Sequence, residues 1–214
     1  DDGYLFTVEQ RAQNASGKPV IVRPIGLVSR AAKSHDPDSW TNHVGPISVF
    51  GGKADYDVNY KNLDEDGPKS FSNVSGWLGF TDKYWLTALA PGDARMSADF
   101  RRSPSGGYQA DYALAPNQLA PGQASATRVR LFAGAKEKAW LDRYENAGIP
   151  KLSKSIEWGW FEWFMRPIFD LLVWLFHTSG NFGVAIIGLT LIVRGIMFPI
   201  AQKQFQSMAA MRKV

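Results

Sequence analysis

Two hydrophobic patterns divide this chain. From Tyr4 to about residue 135 apolar and polar residues alternate in short runs, and from Trp158 onward long apolar runs carry only isolated charges. Alternation of period two is the mark of half-buried strands. It predicts strands over Tyr4–Gln13 and Val20–Leu27, over two pieces within Ile47–Tyr60, and over Met96–Phe100, Tyr108–Leu114 and Ala126–Phe132. Gly and Pro clusters punctuate them: Asn14–Pro19, Gly51-Gly52, Pro104–Gly107 and Ala120–Gln123. The first and third of these predict hairpins, and Pro24 marks an edge or a bulge. Leu63–Pro68 reads as an acidic turn. Lys136–Asn146 changes to a helical pattern, ended by Gly148 and Pro150. Many short antiparallel strands followed by one helix predict a mainly β sandwich.

Phe182–Ala201 is apolar except for Arg194. About twenty residues at 1.5 Å rise span roughly 30 Å, the hydrocarbon thickness of a bilayer. The run is read as a membrane-crossing helix, with Asn181 as its N-cap. Arg194 is the costly residue, about 2.5–3.5 kcal/mol at mid-helix on insertion scales. Two placements are open to it. It snorkels to the nearer headgroups, or it faces a polar, water-holding cavity made with other helices. The second is favoured: helical side chains lean toward the N-terminus, which turns Arg194 away from the nearer interface. Thr190 lies four residues earlier on the same face, Gly195 leaves space, and Pro199 predicts a kink.

Trp158–His177 is nearly as apolar, but Glu162, Arg166 and Asp170 form a stripe at spacing four. Those charges predict a helix lying in the membrane interface, with Trp158, Trp160, Trp163 and Trp174 as headgroup-level anchors. Pro167 predicts a kink or break. After the span, Gln202–Lys213 is amphipathic, with Phe205, Met208 and Met211 on one side, and begins a further helix. Lys203, Arg212 and Lys213 follow the span, whereas Arg166 is the one cation in the twenty residues before it. The positive-inside rule therefore puts residues 202–214 in the cytoplasm and everything before residue 181 on the far side. That placement expects a targeting signal upstream of Asp1, and the sequence stops at Val214 within a helix-like stretch, so the chain is read as part of a longer one at both ends.

Composition sharpens this only in places. The 214 residues hold no Cys, so disulfide and thiolate-metal chemistry are excluded. The mean hydropathy of −0.21 implies that most of the chain is not membrane. Residues 1–156 carry 19 basic and 17 acidic side chains without a long basic run, which argues against nucleic-acid binding. His35, Asp36, Asp38 and His43 match no metal-ligand spacing and read as a solvated loop. Asp64–Asp66 lacks the ligand spacing of a calcium loop. Trp77, Phe80, Tyr84 and Trp85 could stack on a sugar, but core packing is favoured. No nucleotide loop and no catalytic constellation is present, so no cofactor, metal or enzymatic activity is expected.

The segments Gly159-Trp160, Pro167-Ile168-Phe169, Gly180-Asn181-Phe182-Gly183, Thr190–Pro199 (TLIVRGIMFP) and Gln204–Met211 (QFQSMAAM) resemble the YidC/Oxa/Alb family of membrane protein insertases. GWLGFTDKYWLTALAP extends a looser resemblance to the family's periplasmic domain. The resemblance implies a periplasmic antiparallel β-supersandwich with a C-terminal helix over 1–150, and a linker with an interfacial amphipathic helix over 151–180. It implies one transmembrane α-helix over 181–201 and the start of a cytoplasmic helical region over 202–214. It further implies an inner-membrane, multi-pass protein whose hydrophilic groove contains Arg194 and Thr190. The implied partners are nascent inner-membrane proteins, the lipid bilayer, the Sec translocon and SecDF. The alternative is a membrane-tethered periplasmic carbohydrate-binding domain.

Overall fold

The strand at Leu5–Gln13 (β1) does not turn back on its neighbour. The computed structural model, which describes residues 3–36, 42–159 and 161–211, pairs it residue for residue with Ala124–Ala135 (β12), from Leu5 opposite Phe132 to Gln13 opposite Ala124. The hairpin expected across Asn14–Pro19 is thus replaced by a long-range ladder. Asn14 explains the outcome. Its N–H donates to the Gln123 carbonyl and its own carbonyl accepts from Gly122, so the ladder continues into the far turn. Its side-chain amide donates to the carbonyls of Lys18 and Leu119, which closes the 14–18 loop on itself. Nine paired rungs outweigh a locally plausible turn.

Ten strands follow between these two: β2 (Val20–Val22), β3 (Ile25–Arg30), β4 (Gly45–Phe50), β5 (Lys53–Asp55), β6 (Lys69–Val74), β7 (Gly76–Thr81), β8 (Trp85–Ala90), β9 (Met96–Arg102), β10 (Tyr108–Leu114) and β11 (Asn117–Leu119). They form a six-stranded sheet in the order β1-β12-β8-β7-β4-β5, a four-stranded sheet β3-β10-β9-β6, and a short β11-β2 pair. Every ladder is antiparallel. The β9–β10 hairpin forms as expected, around the turn at residues 103–107. Pro24 interrupts the expected Val20–Leu27 strand, and the two pieces join different sheets. Leu63–Glu65 is not a turn. It lies in a short helix, α1 (Tyr60–Glu65), capped by the Asn59 side chain, which accepts from the Asn62 N–H at 2.9 Å.

Alternation along β7 sets up two cores. Leu78 and Phe80 face the smaller sheet and share a cluster with its Phe100, Tyr108 and Tyr112 and with Val129 of β12. Trp77 faces the other way, into a cluster with Val49, Phe132, Leu141, Tyr144 and Leu152. The helix α2 (Lys138–Asn146) and a single 3-10 turn at Leu152–Ser155 supply that second layer. The large sheet is thus covered on both faces, which explains why β7 is buried at all six positions.

The chain divides into two compact units, residues 1–157 and 158–214. The second holds α3 (Glu162–Ser179) and α4 (Phe182–Met211). Helix α3 runs unbroken through Pro167. That residue removes one backbone hydrogen bond, and Arg166 spans the same turn with its ion pair to Glu162 at 3.4 Å. Helix α4 continues through Pro199 and past residue 201.

Candidate functional site

The joint between α3 and α4 is built from three residues. Gly180 takes a left-handed conformation (φ 65°) and donates its N–H to the Phe176 carbonyl at 2.8 Å, which stops α3. Asn181 then accepts from the N–H groups of Gly183 (2.9 Å) and Val184 (3.3 Å) and starts α4, the cap that its sequence position promised. Next to this joint the helices touch. Ala185 is buried, Gly188 sits under Leu175, and Phe176 meets Phe182 edge to face at 5.9 Å.

Beyond that contact α4 is bare. Phe182–Pro199 is the one segment among the described residues long and apolar enough to cross a membrane. Ile187, Leu191 and Ile196 are each more than 60% exposed. In water such a surface would be unfavourable at about 25 cal/mol per Å². It suits a helix whose solvent is lipid or other helices.

Arg194 and Thr190 lie on this bare helix, both exposed and four residues apart on one face. The Thr190 hydroxyl donates to the Ile186 carbonyl of its own helix at 2.8 Å. Its proton is committed, and its oxygen remains an acceptor. Arg194 stands twelve residues after Phe182, roughly 18 Å along the axis at helical rise.

The charged stripe on α3 is real. Glu162, Arg166 and Asp170 line one open groove of about 630 Å³ with Gly159, Trp163 and Pro167. Trp163 and Trp174 are 75% and 60% exposed. Eleven residues apart, they are only about 20° from the same helix face at 100° per residue. Trp158 is half-buried, its ring edge-on to Phe169 at 5.5 Å. Trp160, like Asp38, lies outside the described residues.

In the β unit the aromatic residues divide. Trp77 is wholly buried and Phe80 nearly so, as core packing predicts, but Tyr84 and Trp85 are 62% and 59% exposed. Core packing therefore holds for the first two of these aromatics and not for Tyr84 and Trp85, which lie at the turn between β7 and β8. His43 is buried, with its ring Nε2 2.7 Å from the Pro46 carbonyl oxygen and its backbone N–H donating to Glu157. It is a structural tie rather than part of a solvated loop. Asp64 accepts from the Tyr108 hydroxyl at 2.8 Å and pairs with Lys33 and Arg102. The Lys33 hydrogen bond, then that from Tyr108, holds its carboxyl below the usual carboxylate range.

One polar cluster had no sequence signal. Arg30 donates from one guanidinium nitrogen to both oxygens of Asp82, at 2.8 and 2.7 Å. Lys136 donates to the Thr81 hydroxyl (3.0 Å) and the Ser155 carbonyl (3.2 Å). Burial pushes the Lys136 ammonium down to about 8, against the opposing pull of Asp82, Asp36 and Glu157. These residues come from four separated parts of the chain, so no local pattern could announce them.

An antiparallel β-sandwich joined in one chain to a helix that carries a charge amid membrane-length apolar sequence defines a membrane-anchored domain protein. Comparison with known proteins makes the class specific. Residues 1–171 match the family described as YidC periplasmic domain, and residues 174–214 match the 60Kd inner membrane protein family. The chain belongs to the YidC family. It is 42% identical to a membrane protein insertase YidC from Zymomonas mobilis, over all of this chain and 38% of that protein. It is 40% identical to the protein of that name from Granulibacter bethesdensis, over 99% of this chain and 39% of the relative. For Beijerinckia indica the identity is 39%, over all of this chain and 36% of the relative. The chain therefore spans less than two fifths of the length of the curated relatives it matches.

Proposed function

We propose that this chain is the periplasmic domain, interfacial helix and groove-lining transmembrane helix of a membrane protein insertase of the inner membrane. The observation that carries the reading is Arg194 on the helix Phe182–Pro199, whose apolar surface is uncovered beyond its contact with α3. An arginine there is tolerated when its charge is hydrated and faced by other helices. With the remaining helices of the full-length protein it lines a hydrophilic groove in the inner half of the bilayer.

Such a groove works without an enzymatic reaction. A polar or acidic segment of a nascent inner-membrane protein partitions to the water around Arg194 before it crosses. The apolar path is shortened, and the barrier falls with it. The substrate's hydrophobic helix then leaves sideways into lipid. Thr190 adds a hydrogen-bond acceptor on the same face. Trp158, Trp160, Trp163 and Trp174 anchor the interfacial helix.

In this reading residues 1–150 form the periplasmic domain, 151–180 the linker and interfacial helix, 181–201 the span, and 202–214 the start of a cytoplasmic helical region. The Sec translocon and SecDF are the proposed partners of the multi-pass protein. The relatives' shared name and the positive tail at Lys203, Arg212 and Lys213 support the reading.

The test is insertion of a single-span substrate into membranes depleted of native insertase and supplied with the full-length protein. Arg194→Ala is expected to abolish insertion of at least one substrate at normal protein level. Unchanged insertion of every substrate would overturn the groove role.

A further inference from the structure

The β unit has a polar end and a far end. The far end holds the 14–19 loop and the Pro121-Gly122 turn. The opposite end holds the β7–β8 turn at Asp82–Tyr84, and the chain leaves the unit there. Lys136 fixes that coincidence: its backbone N–H donates to the Tyr84 carbonyl at 2.8 Å, while its ammonium donates to the Ser155 carbonyl. Residues 158–161 are all that separate Glu157 from the first turn of α3. Five backbone steps reach no more than roughly 18 Å.

At this end Lys83, Tyr84 and Trp85 are consecutive and exposed, with the Lys83 ammonium 5.2 Å from the Tyr84 ring centre. The acidic neighbours are engaged. Asp82 is held by Arg30, and Asp36 accepts from the Lys83 N–H at 3.1 Å. The turn therefore offers a cation and two amphipathic aromatics, while the charge of the adjacent Asp82 is paired with Arg30. Tyr and Trp sit preferentially at headgroup level, and a Lys beside an anionic surface adds attraction of about 1 kcal/mol.

We propose that Lys83, Tyr84 and Trp85 form a second membrane contact of this protein, a foot by which the β unit rests on the anionic phospholipid surface. The occupant follows from the composition of the turn and from its position at the end where the chain runs on to α3. The foot rests on the reading of α3 and α4 as membrane segments.

The absence of native Cys allows a direct test. The full-length protein, with any cysteine outside these residues removed, is reconstituted in bilayers that contain anionic lipid and headgroup-spin-labelled phospholipid. A small environment-sensitive fluorophore is attached at Tyr84→Cys, at Lys18→Cys on the far end, or at Trp163→Cys on α3. Quenching several-fold stronger at position 84 than at position 18 is expected. Adding Lys83→Glu and Trp85→Ser to the position-84 chain is expected to reduce that quenching to the position-18 level. Equal quenching at 84 and 18, with strong quenching at 163, overturns the foot and leaves the membrane reading of α3 intact. Weak quenching at all three sites overturns both. Strong quenching at 84 that survives the double substitution shows the dye inserting by itself and also overturns the proposal. Shielding of the dye from water without quenching by lipid assigns the turn to a protein contact instead and overturns it as well.

Discussion

The indole N–H of Trp77, in the centre of the large sheet, donates to the carbonyl of Pro150 at 2.8 Å. A strand in the middle of the sandwich is thus bonded directly to the segment that leads out of it. The Trp77 side chain is fully buried against α2 and the 3-10 turn. Trp77→Ala is expected to cost about 3–5 kcal/mol of stability through the cavity it leaves. Trp77→Phe is expected to cost about 1–3 kcal/mol, because the Pro150 carbonyl loses its donor. Chemical unfolding followed by near-UV circular dichroism would rank the two.

Gly79 makes a sharper case. A β-carbon built there would lie 1.9 Å from the Thr87 carbonyl oxygen on β8. No side-chain rotation relieves a clash with backbone, so β7 and β8 must separate. Gly79→Ala is expected to destabilise the β unit by about 3 kcal/mol or more. Gly180→Ala provides the contrast. Nothing lies within 4 Å of its added carbon, so only the left-handed backbone is penalised, at about 1 kcal/mol. Thermal unfolding should show a large shift for the first and a small one for the second.

Lys136 predicts an unusual pH dependence. Its ammonium pKa is depressed on folding, from an ordinary 10.5 to about 8. Between those values the unfolded chain binds a proton that the folded one releases, so stability rises with pH across about 8 to 10.5. The penalty is present in full below pH 8, and its removal is worth up to roughly 3 kcal/mol at 1.36 kcal/mol per unit. Lys136→Met is expected to flatten this rise. Urea midpoints measured from pH 7 to 10.5 in both proteins would reveal it. A wild-type midpoint that held constant or fell across the window would contradict the burial argument.

For the groove, charge and shape can be separated. Arg194→Lys keeps the charge without the planar fork of donors. It is expected to retain insertion of some substrates that Arg194→Ala loses. Thr190→Val keeps the volume and deletes the hydroxyl, and is expected to reduce insertion less than Arg194→Ala does. Rates of insertion into depleted membranes, at matched protein levels, give the order.

What the sequence disclosed and what it withheld follow from range. Asn181 was readable because caps act within three residues, and the β9–β10 hairpin because its turn is local. The antiparallel class was readable from alternation. The partner of β1 was not: Asn14 commits its amide to Leu119, 105 residues away, and nothing near Asn14 signals it. Leu63–Glu65 carried turn-like residues, yet the Asn59 cap and the burial of Tyr60 and Leu63 drew them into a helix. Trp77 and Trp85 look alike in sequence. Only the order of strands puts one against α2 and leaves the other at a turn. Arg194 and Thr190 were marked by one-dimensional cost, a charge in an apolar run, whereas the Arg30–Asp82 and Lys136–Thr81 contacts exist only in the folded domain.

The β1–β12 ladder also has a mechanical meaning. Leu5 opposite Phe132 is its last rung, and the chain enters and leaves the β unit at that same end. Tension that lifts residue 4 away from the sheet would therefore open the ladder like a zipper, one rung after another from Leu5 toward Gln13. A pull along the strands on residue 4 against the start of β12 at Ala124 would load all nine rungs together. The edge strand β1 is thus weak to a force that peels it from its start and stiff to one that slides it along β12.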